Sequence, residues 1–347
     1  MLMGWSVSSF VFAVIMISFQ SIAFSGEGYF SGVCDASAAV AVGQNGILVG
    51  EDEGDRLQLY AMNGHVHGPL AQFDFTAGMK LPEPDRESDI EGAARLGQRI
   101  YWITSHGRNG KGVLHPNRYR LFATDLVSES PLSAVSLSWG GSYSRLLQDA
   151  LDAQSWDSDR AEVTVVMRAL ERAARLDQKR VKALAPKRDG VNIEALAAWP
   201  QEQSLLIGLR NPLIEGKAVV LELKNPAALM RGSGVRARFG LPQLLDLGGL
   251  GLRDMAYDAD KGRMLIIAGR AAAGGPFRLY QWHPHQETPP VLLSKLDAGP
   301  GSAPEALVVR AGTVTVLYDD GAVELADGAC KQVKRGSKRF RYAQYRQ

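Results

Sequence analysis

The sequence predicts an all-β fold, a β-propeller of five blades interrupted by a helical insertion, and three observations predict it. A short apolar strand with a polar or acidic residue near its start recurs at 35–41, 89–95, 192–198, 252–258 and 303–309. Each copy is followed by a second strand (46–49, 99–104, 204–209, 263–268, 313–318) and then a third (56–60, 119–124, 218–223, 277–282, 322–325). Short strands separated by turn signals, repeated as a multi-strand unit, are the sequence pattern of a propeller. Finally, 46% hydrophobic and 22% charged residues over 347 positions suit a globular chain with a large core.

From the N-terminus, residues 5–24 carry no charge and are almost wholly apolar. They read as a secretory leader cleaved near 23–26, or as an uncleaved anchor. Either reading places the rest of the chain, 26–330, outside the cytoplasm. Cys34 precedes the first repeat and Cys330 follows the last. In an oxidising compartment the two are expected to form a disulfide that fastens the first blade to the last.

The repeats start unevenly, and the long gap lies between the second and third. There 142–153 reads as a short helix and 159–184 as a longer amphipathic one, stopped by Pro186. The segment 142–185 is therefore expected as a helical insertion on the outer part of the second blade, or as a degenerate sixth blade. Its basic stretch, Arg168 to Arg188, reads as a solvated face. Residues 331–347 hold seven Lys/Arg and no acid, so the net charge of +2 hides a mildly acidic body with a basic tail or final strand. The body lacks the clustered basic face of a nucleic-acid binder. A monomer is expected, with a small molecule as its possible partner.

Aligning the repeats on their acids stacks Ser37, Glu91, Glu194, Asp254 and Glu305 in one column at a channel mouth. Four convergent carboxylates repel unless compensated. A hard cation such as Ca²⁺ would do this. So would arginines, and Arg108, Arg210 and Arg270 follow second strands, with Asn109 and Asn211 beside two of them. The turn 105–112 adds His106 and suits an anion through its glycines and cations. The competing reading makes the acids latches that tie blades together. No nucleophile elbow, His-Glu-x-x-His or Cys-x-x-Cys site occurs.

Asp89–Arg95, Ile100–Ile103 running into Ser105–Asn109, Leu184–Lys187 ahead of Asn192–Glu194, Gly208–Pro212 and Phe277–Tyr280 form one set of motifs. Together they resemble the uncharacterised bacterial domain of unknown function 3616 over about residues 34–325, with Ala195 where a glycine is expected. More loosely, the Ile-Glu-Gly-Ala repeat is similar to exported phytase-like and esterase-like propellers. The resemblance implies the propeller fold and no activity. Three functions follow as expectations: binding of a small anionic ligand or a cation at the mouth, a Ca²⁺-dependent phosphoester or ester hydrolase, or a protein-interaction scaffold.

Overall fold

The computed structural model describes residues 22–347 except 52–53, 63–66, 84–86, 233, 285 and 287. The expected leader lies almost entirely outside the described residues. Five four-stranded antiparallel sheets form the blades. In four of them the strands follow in chain order from the innermost outward. Blade 1 runs Ala38–Val42, Gly46–Gly50, Arg56–Ala61 and Ala71–Asp74; blade 2 runs Ile90–Leu96, Arg99–Thr104, Leu121–Ser128 and Ser136–Tyr143. Blade 3 runs Asn192–Trp199, Ser204–Asn211, Ala218–Leu223 and Gln243–Leu245. Blade 4 runs Gly251–Asp258, Arg263–Gly269, Phe277–Trp282 and Val291–Leu296. No sixth sheet of this kind is present among the described residues.

Blade 5 is built differently. Ala303–Arg310 and Thr313–Asp319 supply its inner half, Arg339–Arg346 is the third strand, and Ala23–Ser31 is the fourth. The expected third strand at 322–325 is corrected: Glu324–Leu325 pairs with Gly328–Ala329 in a separate hairpin. The basic segment's last eight residues before Gln347 are thus a sheet strand paired on both sides. Both faces of this strand are used: Phe340 and Tyr342 pack toward blade 1, and Ala343 and Tyr345 pack toward blade 4.

Five apolar clusters hold the ring, and each fills one interface between neighbouring blades. Val40, Leu48 and Leu57 meet Ile90 and Trp102 between blades 1 and 2, and Ala195 and Leu206 meet Leu252 and Met264 between blades 3 and 4. Leu265 and Ile267 meet Leu307 and Val316 between blades 4 and 5. The closing interface sets Ile47 and Tyr60 of blade 1 against Phe30, Phe340 and Leu317 of blade 5. A propeller blade has two apolar faces and cannot bury both alone, so closure is what removes the last pair from water.

Close approach at the inner strands explains the Ala195 departure. A Cβ on Gly92 would lie 3.0 Å from the backbone nitrogen of Leu196, so blade 2 needs glycine there. Gly92 pairs with Ile103, whereas Ala195 pairs with Gly208, where an added Cβ would come within 2.8 Å of the Ala195 methyl. The small residue has changed sides of the pair.

The insertion packs over blades 2 and 3. Its helices are Leu146–Ala150 and Ala161–Ala174, shorter than expected at both ends. Val163, Val166, Leu170 and Ala173 join one cluster with Ile103 of blade 2 and Leu205, Leu221 and Leu223 of blade 3. Residues 142–143 belong instead to the outer strand of blade 2.

Cys34 and Cys330 are joined across 296 positions, beside the antiparallel contact of Asp35 with Asp319. A loop of this size carries a chain-entropy stabilisation on the order of 5 kcal/mol. Cys34→Ser is therefore expected to lower the melting temperature by several degrees while far-ultraviolet circular dichroism stays unchanged, because the strand Ala23–Ser31 still closes blade 5.

Candidate functional site

At the mouth where the inner strands begin, four of the five blades bring one side chain each to the channel through a register shift. The shifts fall between Ile90 and Gly92, Ile193 and Ala195, Leu252 and Asp254, and Pro304 and Ala306. The bulged residues are therefore Glu91, Glu194, Arg253 and Glu305. Blade 1 has no such shift: Ser37, just ahead of its inner strand, donates its backbone amide to the Gly50 carbonyl and does not line the cavity. The expected column is corrected in blade 4: Arg253 occupies it, and Asp254 stands one place further on. There Asp254 is buried and its Oδ2 accepts the Leu307 amide at 2.6 Å, tying blade 4 to blade 5. Burial raises its carboxyl well above the usual range. Aligning Leu252 with Ile90 rather than acid with acid would have found Arg253.

Arg253 neutralises the ring. Its Nη1 lies 2.8 Å from Glu194 Oε2 and 2.8 Å from Glu305 Oε1. Glu194 Oε1 accepts from Arg210 Nη1 at 2.6 Å and from Asn192 Nδ2 at 2.6 Å. Burial alone would raise the Glu194 carboxyl, yet Arg210 and Arg253 outweigh it and hold the group below its ordinary value. Glu305 behaves oppositely. Burial pushes it up to about 8 against the pull of Arg253, and nearby Asp319 and Glu194 add to the rise. Asp89, at φ +66° in the left-handed region that Asp tolerates better than most residues, sets its carboxylate 2.9 Å from Arg118.

The ring opens into a cavity of about 460 Å³. Its floor and sides hold Asp89, Glu91, Asn192, Glu194, Arg210 and Glu305, with Arg118, Asp319 and Lys331 around them. One rim is the end of the insertion, where Lys187 and Arg188 are exposed and take no hydrogen bond or ion pair from any described side chain. Below the mouth the channel turns apolar: Val40, Ala94, Ala197, Ala256 and Val308 wall a space of about 170 Å³. Arg95 is the one charged residue that lines this space, and it is paired with Glu129 at 2.9 Å.

Several expected site residues lie elsewhere. Arg108 is buried and caps the longer insertion helix, its Nη2 donating to the carbonyls of Ala174, Arg175 and Gln178 at 2.7 to 3.0 Å. His106 is buried behind the cavity with Nδ1 2.8 Å from the Thr104 carbonyl, and burial lowers it to about 4, so it is neutral. Asn109 accepts the Lys111 and Val113 amides within its own turn, and Asn211 donates to the Pro186 carbonyl at 2.7 Å. Arg270 is exposed, and its carbonyl rather than its guanidinium meets Arg210. Among the described residues no group of three or more His, Cys, Asp and Glu is placed to hold a metal ion, so the Ca²⁺ expectation finds no such cluster there.

The family model "Protein of unknown function (DUF3616)" matches residues 35–297. The chain belongs to this family. No curated protein matches it. Among solved structures, the chain is similar to the extracellular domain of BT4673 from B. thetaiotaomicron, described in one structure as a hybrid two-component system and in another as a one-component system. The identities are 10% and 11%, with TM-scores of 0.34 and 0.32 and coverage of 82% and 81% of this chain. The chain spans about a quarter of those proteins' length (25% and 26%). It is also similar to the β-propeller domain of Cps50 (Swd1) from Myceliophteria thermophila at 8% identity, TM-score 0.36, covering 94% of this chain and 99% of that one. These likenesses carry no inference about activity.

Arg253→Ala leaves Glu194 with Arg210 alone and the buried Glu305 without its arginine, and is expected to cost about 3 kcal/mol in urea unfolding. The raised Glu305 carboxyl makes the folded state bind its proton more tightly than the unfolded state. Its contribution is therefore full below about pH 4.5 and is lost as pH rises toward 8. Glu305→Gln should flatten the decline of melting temperature over that window.

Proposed function

We propose that this chain is an exported propeller that binds a small anionic, hydroxyl-bearing molecule, such as a sugar acid, in the mouth cavity. One observation carries the reading: the rim cations Lys187 and Arg188 take no hydrogen bond or ion pair from a described side chain, while three of the carboxyl groups below them, Asp89, Glu194 and Glu305, are each met by an arginine. Glu194 is met by Arg210 and Arg253, Asp89 by Arg118, and Glu305 is largely protonated at neutral pH. The potential offered to a ligand is then positive at Lys187 and Arg188, which suits a carboxylate or phosphate. The compensated carboxylates deeper in are still hydrogen-bond acceptors, and a ligand rich in hydroxyl groups supplies donors for them. An anion without hydroxyls leaves those acceptors unmatched. The Cys34–Cys330 disulfide supports a location in an oxidising compartment, as does the apolar segment 5–24.

The chemistry supports binding rather than turnover. His106 does not line the cavity, its ring is held at the Thr104 carbonyl, and the Ser105 hydroxyl beside it is engaged with the buried Asp89 carboxyl. The helical insertion shapes this site directly, because its last residues form the rim.

Calorimetric titration with galacturonate and with neutral galactose tests the reading. The acid is expected to bind at least tenfold more tightly, and Lys187→Ala with Arg188→Ala should erase that preference, since a charge-assisted hydrogen bond contributes about 1.5 kcal/mol or more. Equal affinity for the two sugars, or no binding of the acid, would overturn it.

A further inference from the structure

A second cleft adjoins the mouth. It has a volume of about 250 Å³ and lies between blade 1 and the segment that follows the disulfide. Arg56, Arg335 and Lys338 line it, together with Asp35 and Glu51. None of the three cations takes a hydrogen bond or ion pair from a described side chain. Their positive charge falls on the partly buried Glu51 carboxyl, although burial dominates and raises it. Asp35, the other acid, is engaged by Lys331 at 3.6 Å.

That ion pair joins the two spaces, because Lys331 lines the mouth cavity and Asp35 lines the second cleft. The face around the channel therefore carries, on two sides, cations that take no hydrogen bond or ion pair from a described side chain. Lys187 and Arg188 come from the insertion, and Arg56, Arg335 and Lys338 from the opposite flank. Lys331 and Asp35, paired at 3.6 Å, lie where the two spaces meet. The sequence contributes the same asymmetry, since the basic residues 331–338 come from the tail and the body is acidic.

We infer that the second cleft is a subsite for another anionic group of the same molecule, so that the protein reads an acidic oligosaccharide across both spaces rather than a single sugar acid. This rests on the reading of the mouth and extends it. One anionic group sits at Lys187 and Arg188, hydroxyls reach the carboxylates of the ring, and a later unit's carboxylate is held by Arg335, Lys338 and Arg56. Joining two weak contacts through one ligand raises affinity well beyond either, provided the ligand spans both sites.

Titration of the full chain with galacturonate and its di-, tri- and tetramers tests this. Affinity should rise at least tenfold between the monomer and the tetramer. Arg335→Ala with Lys338→Ala should remove the gain and leave monomer binding unchanged. Arg335 is exposed and Lys338 part-exposed, and neither makes a hydrogen bond or ion pair with a described side chain, so the double variant is expected to fold and to melt close to the parent. Equal affinity for monomer and tetramer overturns the subsite while the mouth reading stands, and so does a double variant that keeps the gain. Failure of the monomer to bind overturns the mouth reading, and the subsite falls with it.

Discussion

A ring of sheets depends on the joint where its first and last blades meet. Here three separate devices act at that joint. The strand Ala23–Ser31 completes blade 5 from the other end of the chain, Cys34 is bonded to Cys330, and aromatic side chains fill the seam. Phe30 lies within 4.8 to 5.5 Å, centroid to centroid, of Tyr60, Phe340 and Tyr342. The pairings pull the same way: each fixes a terminal segment that would otherwise fray, and together they hold the mouth at a fixed diameter.

A fixed diameter matters because the mouth is electrostatically crowded. Glutamates from blades 2, 3 and 5 face one opening, and one arginine from blade 4 sits among them. Arg253 lies buried over the ring of Phe277, 5.6 Å from its centroid, with Glu194 and Glu305 on one nitrogen. A planar guanidinium suits this role better than an ammonium, because its several donors are held in a rigid fork. The outcome is a ring in which Glu194 stays ionised and Glu305 resists ionisation, two carboxylates set apart by how many arginines each one has.

The insertion shows how a local pattern is overruled by its surroundings. Hydrophobic periodicity runs to Leu184, yet the helix stops at Ala174. Arg175 turns left-handed there, and the buried Arg108 guanidinium collects the carbonyls that the helix leaves open. Capping of this kind satisfies helix-end acceptors that are withdrawn from water. The remainder, 175–191, is then free to run as loop and short turns back to blade 3, and it brings Lys187 and Arg188 to the cavity on the way.

Five repeated units, their inner and second strands, the insertion and the cysteine pairing were all legible in the residues, because apolar alternation and repeat spacing are local signals. So was the membership of Glu91, Glu194 and Glu305 in one column. The exchange of Arg253 for Asp254 was not, since a bulge shifts register by one residue without altering composition. Nor was the joining of Ala23–Ser31 to Arg339–Arg346, a pairing between segments more than three hundred positions apart that no local pattern encodes. The sequence by itself determined which segments become strands and how often they repeat. Only the tertiary structure decided which side chains share the mouth, because burial and register, rather than residue type, choose between a carboxylate that faces the channel and one that latches a neighbouring blade.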